Sequence, residues 1–443
     1  MKIKSITVSG FKNLRKTTIE LSNITAIVSP NNYGKSNLLE AIDFGVDFIS
    51  ANERNRKVMM KWIKGIPINM ALENEDFYFE IEFDSGSNDD YRYVRYGYSF
   101  SWYRDNGEGQ KITNEWIDAR SNESVKYTSF LKRKEGKYRK EKGTGSFRNI
   151  NLDDAQLAID FLISLEDISI QSVIKAIKNV SFHVCSSLDL KDRFKPNVIE
   201  YIEDDTMDNV SFDDNDVPRA LFKLQKFYPD KYDLFLEAIY TLFPEFLEVS
   251  VQSYALNVNS TNINTMVISQ ERVKTGEDVH TDKIPFKIKD ELYRVIIKSR
   301  YMNQAINIDR MSTGTKRIFW LLANVFIASS KNMSFIGVEE LETSIHPKLL
   351  KNLLEFLDEV LENTSIIISS HSPFLVQYIK PNKIYIGKPC SDGTAVFKTI
   401  KQNRLKSLIS LARENGMTVG EYIFELMSGD IDNETILSFY LEG

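Results

Sequence analysis

The chain has 443 residues, 42% of them hydrophobic and 27% charged, with a net charge of −6. That is enough apolar material for two or three cores, and it excludes a uniformly basic nucleic-acid coat. Only Cys185 and Cys390 are present, so neither a disulfide framework nor a zinc spacing exists and a reducing compartment is the simplest expectation.

Met1 to Ser5 run straight into a strand without the apolar core of a signal peptide. The first strand, Ile3 to Val8, is followed by Ser9-Gly10-Phe11-Lys12-Asn13-Leu14. A second apolar, β-branched run, Ile24 to Val28, has the look of a buried parallel strand, and Asn37 to Ile42 has helical spacing. Between them stands Ser29-Pro30-Asn31-Asn32-Tyr33-Gly34-Lys35-Ser36, which reads as a phosphate-binding loop. Backbone N–H groups at a helix N-terminus have no partner within the helix, and the helix dipole favours an anion there. Lys35 adds a point charge for the β- and γ-phosphates, and the Ser36 hydroxyl is placed to ligate Mg²⁺. The pattern asks for Gly at position 29, where this chain has Ser.

Further on, Phe77 to Phe83 and Tyr93 to Phe100 alternate apolar and polar residues, which predicts antiparallel strands with one wet face. Lys132, Arg133, Lys134, Lys137, Arg139, Lys140 and Lys142 surround Tyr138; they are either a solvated hairpin tip or a track for a phosphate backbone. From Leu152 to Ala255 the periodicity is mainly helical, with Asp153 as an N-cap and core spacing over Ala220 to Phe246. Glu203, Asp204, Asp205, Asp208, Asp213, Asp214 and Asp216 predict a flexible acidic loop.

Met311-Ser312-Thr313-Gly314-Thr315-Lys316-Arg317 is another polar, Gly-containing turn at a helix start. It is a second anion site by the same physics, or a plain N-cap by Ser312 or Thr313. The helical run that follows, Ile318 to Ala328, is too short for a bilayer and contains Asn324. A strand at Ser334 to Val338 ends in Glu339 and Glu340. Carboxylates there are costly unless they meet a cation or a proton. Glu339 facing Mg²⁺ and Glu340 taking a proton from water would supply both; favouring the N-terminus of a helix over Pro347 to Leu361 is the plainer alternative. The next strand, Ser365 to Ser370, stops at His371-Ser372-Pro373, placing a histidine where it can hydrogen-bond a γ-phosphate. Helical runs at Arg404 to Asn415, Thr418 to Met427 and from Glu434 close the chain.

In this order the motifs resemble an ABC-type ATPase of the branch that includes the OLD, RecF and SMC proteins. Ile3 to Leu14 is similar to that branch's first strand and the loop near the nucleotide, which brings Lys12 and Asn13 into the binding set. The loop residues Ser29, Asn31, Asn32, Tyr33, Gly34, Lys35, Ser36 and Asn37 resemble its Walker A segment, and Glu339-Glu340 its Walker B pair. Ser312 to Lys316 resembles its signature motif, Glu342 to Pro347 its D-loop and His371 its switch histidine. Departures are Ser29, Glu339 in place of the commoner Asp, and Leu341 where Pro is common.

The resemblance implies an α/β fold: a P-loop ABC-type core with an antiparallel β lobe and an inserted helical subdomain. Residues 1–50 together with 300–395 would form the core, 51–150 a lateral antiparallel β region, 151–299 a mainly helical insertion and 396–443 a C-terminal helical extension. It implies ATP and Mg²⁺ as cofactors, with Glu340, His371 and Lys35 catalytic, Ser36 and Glu339 on the metal, and Ser312, Gly314 and Lys316 completing the site of another subunit. A homo-oligomer, a dimer or a multiple of dimers, follows. OLD-type nucleases carry a TOPRIM domain after the ATPase, and residues 396–443 cannot house one. Similar stand-alone ATPases occur in bacterial anti-phage systems such as PARIS and Septu, which implies a separate effector protein, a nuclease. A RecF-like DNA clamp, with DNA contact through the basic hairpin, is the alternative. A cytoplasmic location with no membrane contact is expected in either case.

Overall fold

The structure, a computed structural model, describes residues 2–61, 66–85, 91–104, 107–134, 137–140, 148–149, 152–162, 171–185, 192–195, 199–201, 216–256, 286–288, 291–331, 333–361, 364–428 and 431–442. They form two units: Met1–Ser186 with Asn332–Thr343 and Leu350–Gly443, and Ser187–Lys331 with Ser344–Leu349.

The first unit contains β1 (Lys2–Ser9), β2 (Thr17–Glu20), β3 (Ile24–Val28), β4 (Phe77–Asp84), β5 (Tyr93–Ser101), β6 (Lys111–Arg120), β7 (Thr128–Lys134), β8 (Lys137–Lys140), β9 (Arg148–Asn149) and β10 (Phe182–Cys185). The second holds β11 (Ile199–Tyr201), β12 (Phe246–Ala255), β13 (Phe286–Ile288), β14 (Glu291–Ser299) and β15 (Ile306–Asn307). The chain returns to the first unit with β16 (Phe335–Glu339), β17 (Ser365–Ser370), β18 (Ile384–Pro389) and β19 (Ala395–Lys398). The helices are α1 (Lys35–Ser50), α2 (Glu53–Met59), α3 (Ala158–Leu162), α4 (Gln171–Lys178), α5 (Val217–Phe227), α6 (Pro229–Leu242), α7 (Thr313–Ser330), α8 (Pro347–Val360), α9 (Pro373–Tyr378), α10 (Leu405–Glu414), α11 (Val419–Ser428) and α12 (Ile431–Tyr440). The α/β fold class expected from the sequence, with its antiparallel β lobe and inserted helices, is the one formed.

One sheet of the first unit runs β10-β16-β17-β3-β18-β19, parallel except for the edge strand β19. Every residue of β3 and β17 is buried, which is why β3 reads as an unbroken apolar or β-branched run and β17 carries Ile366 to Ile368 between serines. β10 is a strand inside a segment whose periodicity reads as helical. It is set by a tertiary contact: Phe182 stacks on Phe335 at 4.4 Å, in the space left by Gly337, where a Cβ would come within 2.9 Å of the Phe182 ring.

The other sheet is antiparallel, in the order β2-β1-β4-β5-β6-β7-β8-β9. β1 and β2 therefore belong to the lateral sheet, with β1 paired to β4. Helix α1 shares one apolar core with both sheets. Phe48 stacks on Tyr98 and Phe100 at 5.0 and 4.8 Å, and Gly45 lies so close to Phe79 that a Cβ would reach 2.2 Å from its ring. The helix that follows the loop expected to bind phosphate is thus fixed against the lateral lobe.

Asp43 sits on α1, where burial and then the charges of Asp47 and Glu40 push its carboxyl up to about 7 from 3.8. Between those values the unfolded chain is ionised and the folded one still protonated, so stability falls as pH rises from about 4 to 7. The full difference is ~4 kcal/mol, and solvent contact of this half-buried group reduces it to about 2 kcal/mol. Asp43→Asn is expected to raise stability by that amount at pH 8 and to flatten the decline, as thermal midpoints at pH 4, 6 and 8 would reveal.

Three sequence readings change locally. Asp153 caps a turn, accepting from the Ala155 N–H at 3.4 Å, while α3 begins only at Ala158. The core spacing over Ala220 to Phe246 is carried by two helices: Pro229, without an N–H, starts α6 after a break at Tyr228. In the basic hairpin, Lys132 and Lys134 are exposed, but Arg133 alternates inward and is buried, donating to Gln156 O beside Glu115. Lys142 and the acidic residues Glu203 to Asp214 lie outside the described residues; Asp216 caps α5.

In the second unit α5 and α6 pack on α7, with Phe235 against Phe319 and Phe326. A three-stranded antiparallel sheet, β12-β14-β15, accompanies them. The C-terminal runs form α10 to α12, as their periodicity predicts. Gly420 of α11 lies against α9, where a Cβ would meet Pro373 O at 2.2 Å. Among the described residues no helix is long and apolar enough to cross a membrane.

Candidate functional site

The loop expected to bind phosphate, residues 29–36, leaves the C-terminal end of β3 and closes on α1. Asn32 and Gly34 take positive φ, 66° and 92°. Gly34 caps α1 without any side-chain hydrogen bond, so no side chain engages the cap. A side chain at Gly34 would press on Asn13 Oδ1 at 3.1 Å and Ala395 at 3.3 Å. Ser29 is fully buried and tolerated because Gly387 of β18 faces it, where a Cβ would come within 2.7 Å of Ser29 Cβ. The extra atoms at position 29 are matched by missing ones at 387.

Lys35 is buried, its ammonium donating to Ser29 O at 2.7 Å and Pro30 O at 3.1 Å. Burial pushes it below its ordinary value, while the charges of Glu340, Glu342 and Glu339 act the other way. Ser36, Asn31 and Asn32 are exposed, and Tyr33 is half-buried. Asn37 donates to Asn13 Oδ1 at 2.8 Å, and Lys12, at φ 50°, pairs with Glu40 of α1. Both loop residues expected near the nucleotide therefore lean on the phosphate-loop helix.

Glu339 ends β16 opposite Ser369 of β17. Glu340 follows with φ 48°, its N–H on Ser369 O at 2.9 Å and its Oε1 3.7 Å from His371 Nδ1. A left-handed conformation at a bulky residue is costly. It also accounts for Leu341: proline would drive the preceding residue to extended geometry. Five non-glycine residues among those described have positive φ, and Lys12, Asn32, Glu340 and Ser344 of these fall in the segments singled out from the sequence. Glu342 Oε1 accepts from Ser370 Oγ at 2.7 Å and from the His371 N–H at 3.3 Å.

Because β16, β17 and β3 are neighbours in a parallel sheet, their C-terminal ends bring Glu339, Glu340, His371 and the Lys35 loop to one edge. That is where open α/β sheets take ligands. Among the described residues no cluster of His, Cys, Asp or Glu could hold a metal alone. The donor set suits Mg²⁺ carried by a nucleotide, which needs only one or two protein oxygens besides phosphates and water. Ser36 and Glu339 would be those oxygens.

Ser312, Gly314 and Lys316 belong to the second unit. Ser312 Oγ caps α7, accepting from the Thr315 N–H at 3.1 Å, so the N-cap reading of this turn holds. Gly314 lies against Ser344, where a Cβ would be 2.4 Å from the carbonyl oxygen. Lys316 is buried and reaches Asp309 O at 3.5 Å.

Gly387 and the bonding of Glu342 to the histidine loop were missed in the sequence. A glycine inside the strand-like Ile384 to Pro389 does signal a close backbone approach; nothing in the spacing of Glu342 reveals its partners.

A family model described as "AAA domain, putative AbiEii toxin, Type IV TA system" matches residues 24–377. No curated protein matches the chain. Among solved structures, the SMC head bound to the C-terminal winged-helix domain of ScpA overlaps with a TM-score of 0.49 at 14% identity, covering 92% of this chain and 100% of that one. The SMC head domain from Thermotoga maritima has a TM-score of 0.43 at 12% identity, covering 90% and 100%. An SMC head with an extended coiled coil, bound to the C-terminal domain of ScpA derived from Pyrococcus furiosus, has 0.46 at 12%, covering 93% and 99%.

Proposed function

The chain belongs to that AAA-domain family, and from this premise we propose that it is an ATP-binding, Mg²⁺-dependent ATPase subunit of a bacterial anti-phage complex that oligomerises and controls a separate effector, a nuclease. The observation that carries the ATPase reading is the meeting of the Lys35 loop, Glu339-Glu340 and His371 at the ends of three adjacent parallel strands. The family's description as a toxin of a type IV system supports a role in defence.

In this reading the N–H groups at the start of α1 and the Lys35 ammonium hold the β- and γ-phosphates. Ser36 and Glu339 would hold Mg²⁺, which would supply charge neutralisation at the phosphate oxygens. Glu340 orients water and accepts its proton, and His371 stabilises charge on the γ-phosphate. Ser312, Gly314 and Lys316 complete the site of a neighbouring subunit, with Lys316 leaving Asp309 to reach it. The output is a change in subunit geometry on closing and opening.

The test is co-expression of the tagged chain with its genomic neighbours, purification in ATP and Mg²⁺, and identification of what stays bound. A stoichiometric nuclease-like protein is expected, together with turnover per subunit that rises with protein concentration. A concentration-independent rate would sink the shared-site mechanism. Recovery of the chain alone with DNA would favour the clamp reading, for which the exposed Lys132 and Lys134 speak.

A further inference from the structure

We propose that Glu342 is the positioning residue of the histidine loop, tying residues 370–372 to the end of β16. The proposal rests on the reading of this edge as an ATPase site. Oε1 of Glu342 receives both the Ser370 hydroxyl at 2.7 Å and the His371 N–H at 3.3 Å. Ser370 Oγ in turn accepts from the Ser372 N–H at 2.9 Å, so one carboxylate oxygen organises three consecutive residues. Two residues upstream, Glu340 binds the same strand end through Ser369 O and meets the His371 ring. The loop is thereby fixed to β16 by backbone and side chain together.

The other oxygen, Oε2, is buried with no hydrogen-bond partner among the described residues. Burying an acceptor that way costs stability. Its negative charge is also felt at Lys35. Glu342 therefore serves the geometry of the site: it fixes where the His371 ring stands relative to Glu340 and Lys35.

The experiment uses the full chain with ring-¹³C-labelled histidine. Its four histidines give a countable set of signals, and His371→Gln identifies the one of interest. At fixed pH, Glu342→Ala is expected to move and broaden the His371 signal while that of His346 stays in place; Glu342→Gln, which keeps an accepting oxygen, restores it. In parallel, Glu342→Ala should lower kcat for ATP by about 10- to 100-fold, the scale of a misplaced group, with KM within about twofold. An unmoved His371 signal, or a raised KM with unchanged kcat, overturns the proposal. If the wild type does not hydrolyse ATP, the proposed function fails, while the histidine signals still decide this inference. Should Glu342→Ala not fold, Ser370→Ala removes both bonds of the hydroxyl, to Glu342 and from the Ser372 N–H, leaves the His371 N–H on Glu342, and must shift the same signal; its failure to do so overturns the proposal equally.

Discussion

Glu340→Gln should reduce ATP turnover by about 10²- to 10⁴-fold, the usual contribution of a general base, while leaving nucleotide binding intact. Gln keeps the length and shape of the side chain but cannot take a proton, so only the chemical step is affected. The measurement pairs steady-state phosphate release with equilibrium binding of a fluorescent ATP analogue. Turnover retained within tenfold would remove Glu340 from the mechanism. The backbone offers an independent arm. At φ 48° a non-glycine residue is strained, so Glu340→Gly should cost no thermal stability although it abolishes turnover. A residue whose removal relieves strain and ends activity is held in place for function; a fall in the melting midpoint of several degrees would contradict that.

Arg56→Met should destabilise the first unit by about 3–5 kcal/mol, the usual cost of breaking a buried charge pair. The Arg56 guanidinium is fully buried and makes five hydrogen bonds. Two go to Phe48 O and Ile49 O at the end of α1, at 2.8 and 3.0 Å. Others reach Ala155 O and both oxygens of Asp160, which Lys178 also approaches at 2.6 Å. Arg56→Lys should recover only part of the loss, since an ammonium has three donors and no planar fork. Burial works against the Asp160 carboxylate, but the hydrogen bonds from Arg56 and Lys178 outweigh it and hold it below its ordinary 3.8. A carboxyl depressed on folding contributes stability above 3.8 that is lost as pH falls through its folded value. The difference between wild type and Arg56→Met should therefore shrink below about pH 4. Urea unfolding followed at pH 7 and pH 3 would check both; equal stability at pH 7 would mean that the pair contributes nothing.

Much of the candidate site was legible because its chemistry is local. The phosphate loop, the acid pair and the histidine each occupy one strand-to-loop junction, and each junction has its own residue signature. Where β10 and Arg133 departed from their sequence reading, a partner elsewhere in the chain was responsible. β10 became a strand because Phe182 found Phe335 and the gap at Gly337. Arg133 left the basic surface because Glu115, fully buried, lies 3.7 Å away.

By itself the sequence determined the strands Ile24 to Val28 and Ser365 to Ser370, the helix starts after Gly34 and Ser312, and the order of the motifs. Periodicity, β-branching and capping chemistry act over a few residues and need no partner. Only the tertiary structure decided that β17 lies between β3 and β16, which brings Lys35, Glu340 and His371 to one edge, and that Glu342 holds the histidine loop. Strand order depends on packing between segments as far apart as β3 and β17, and even the Glu342–Ser370 contact spans 28 residues, beyond the reach of any local pattern.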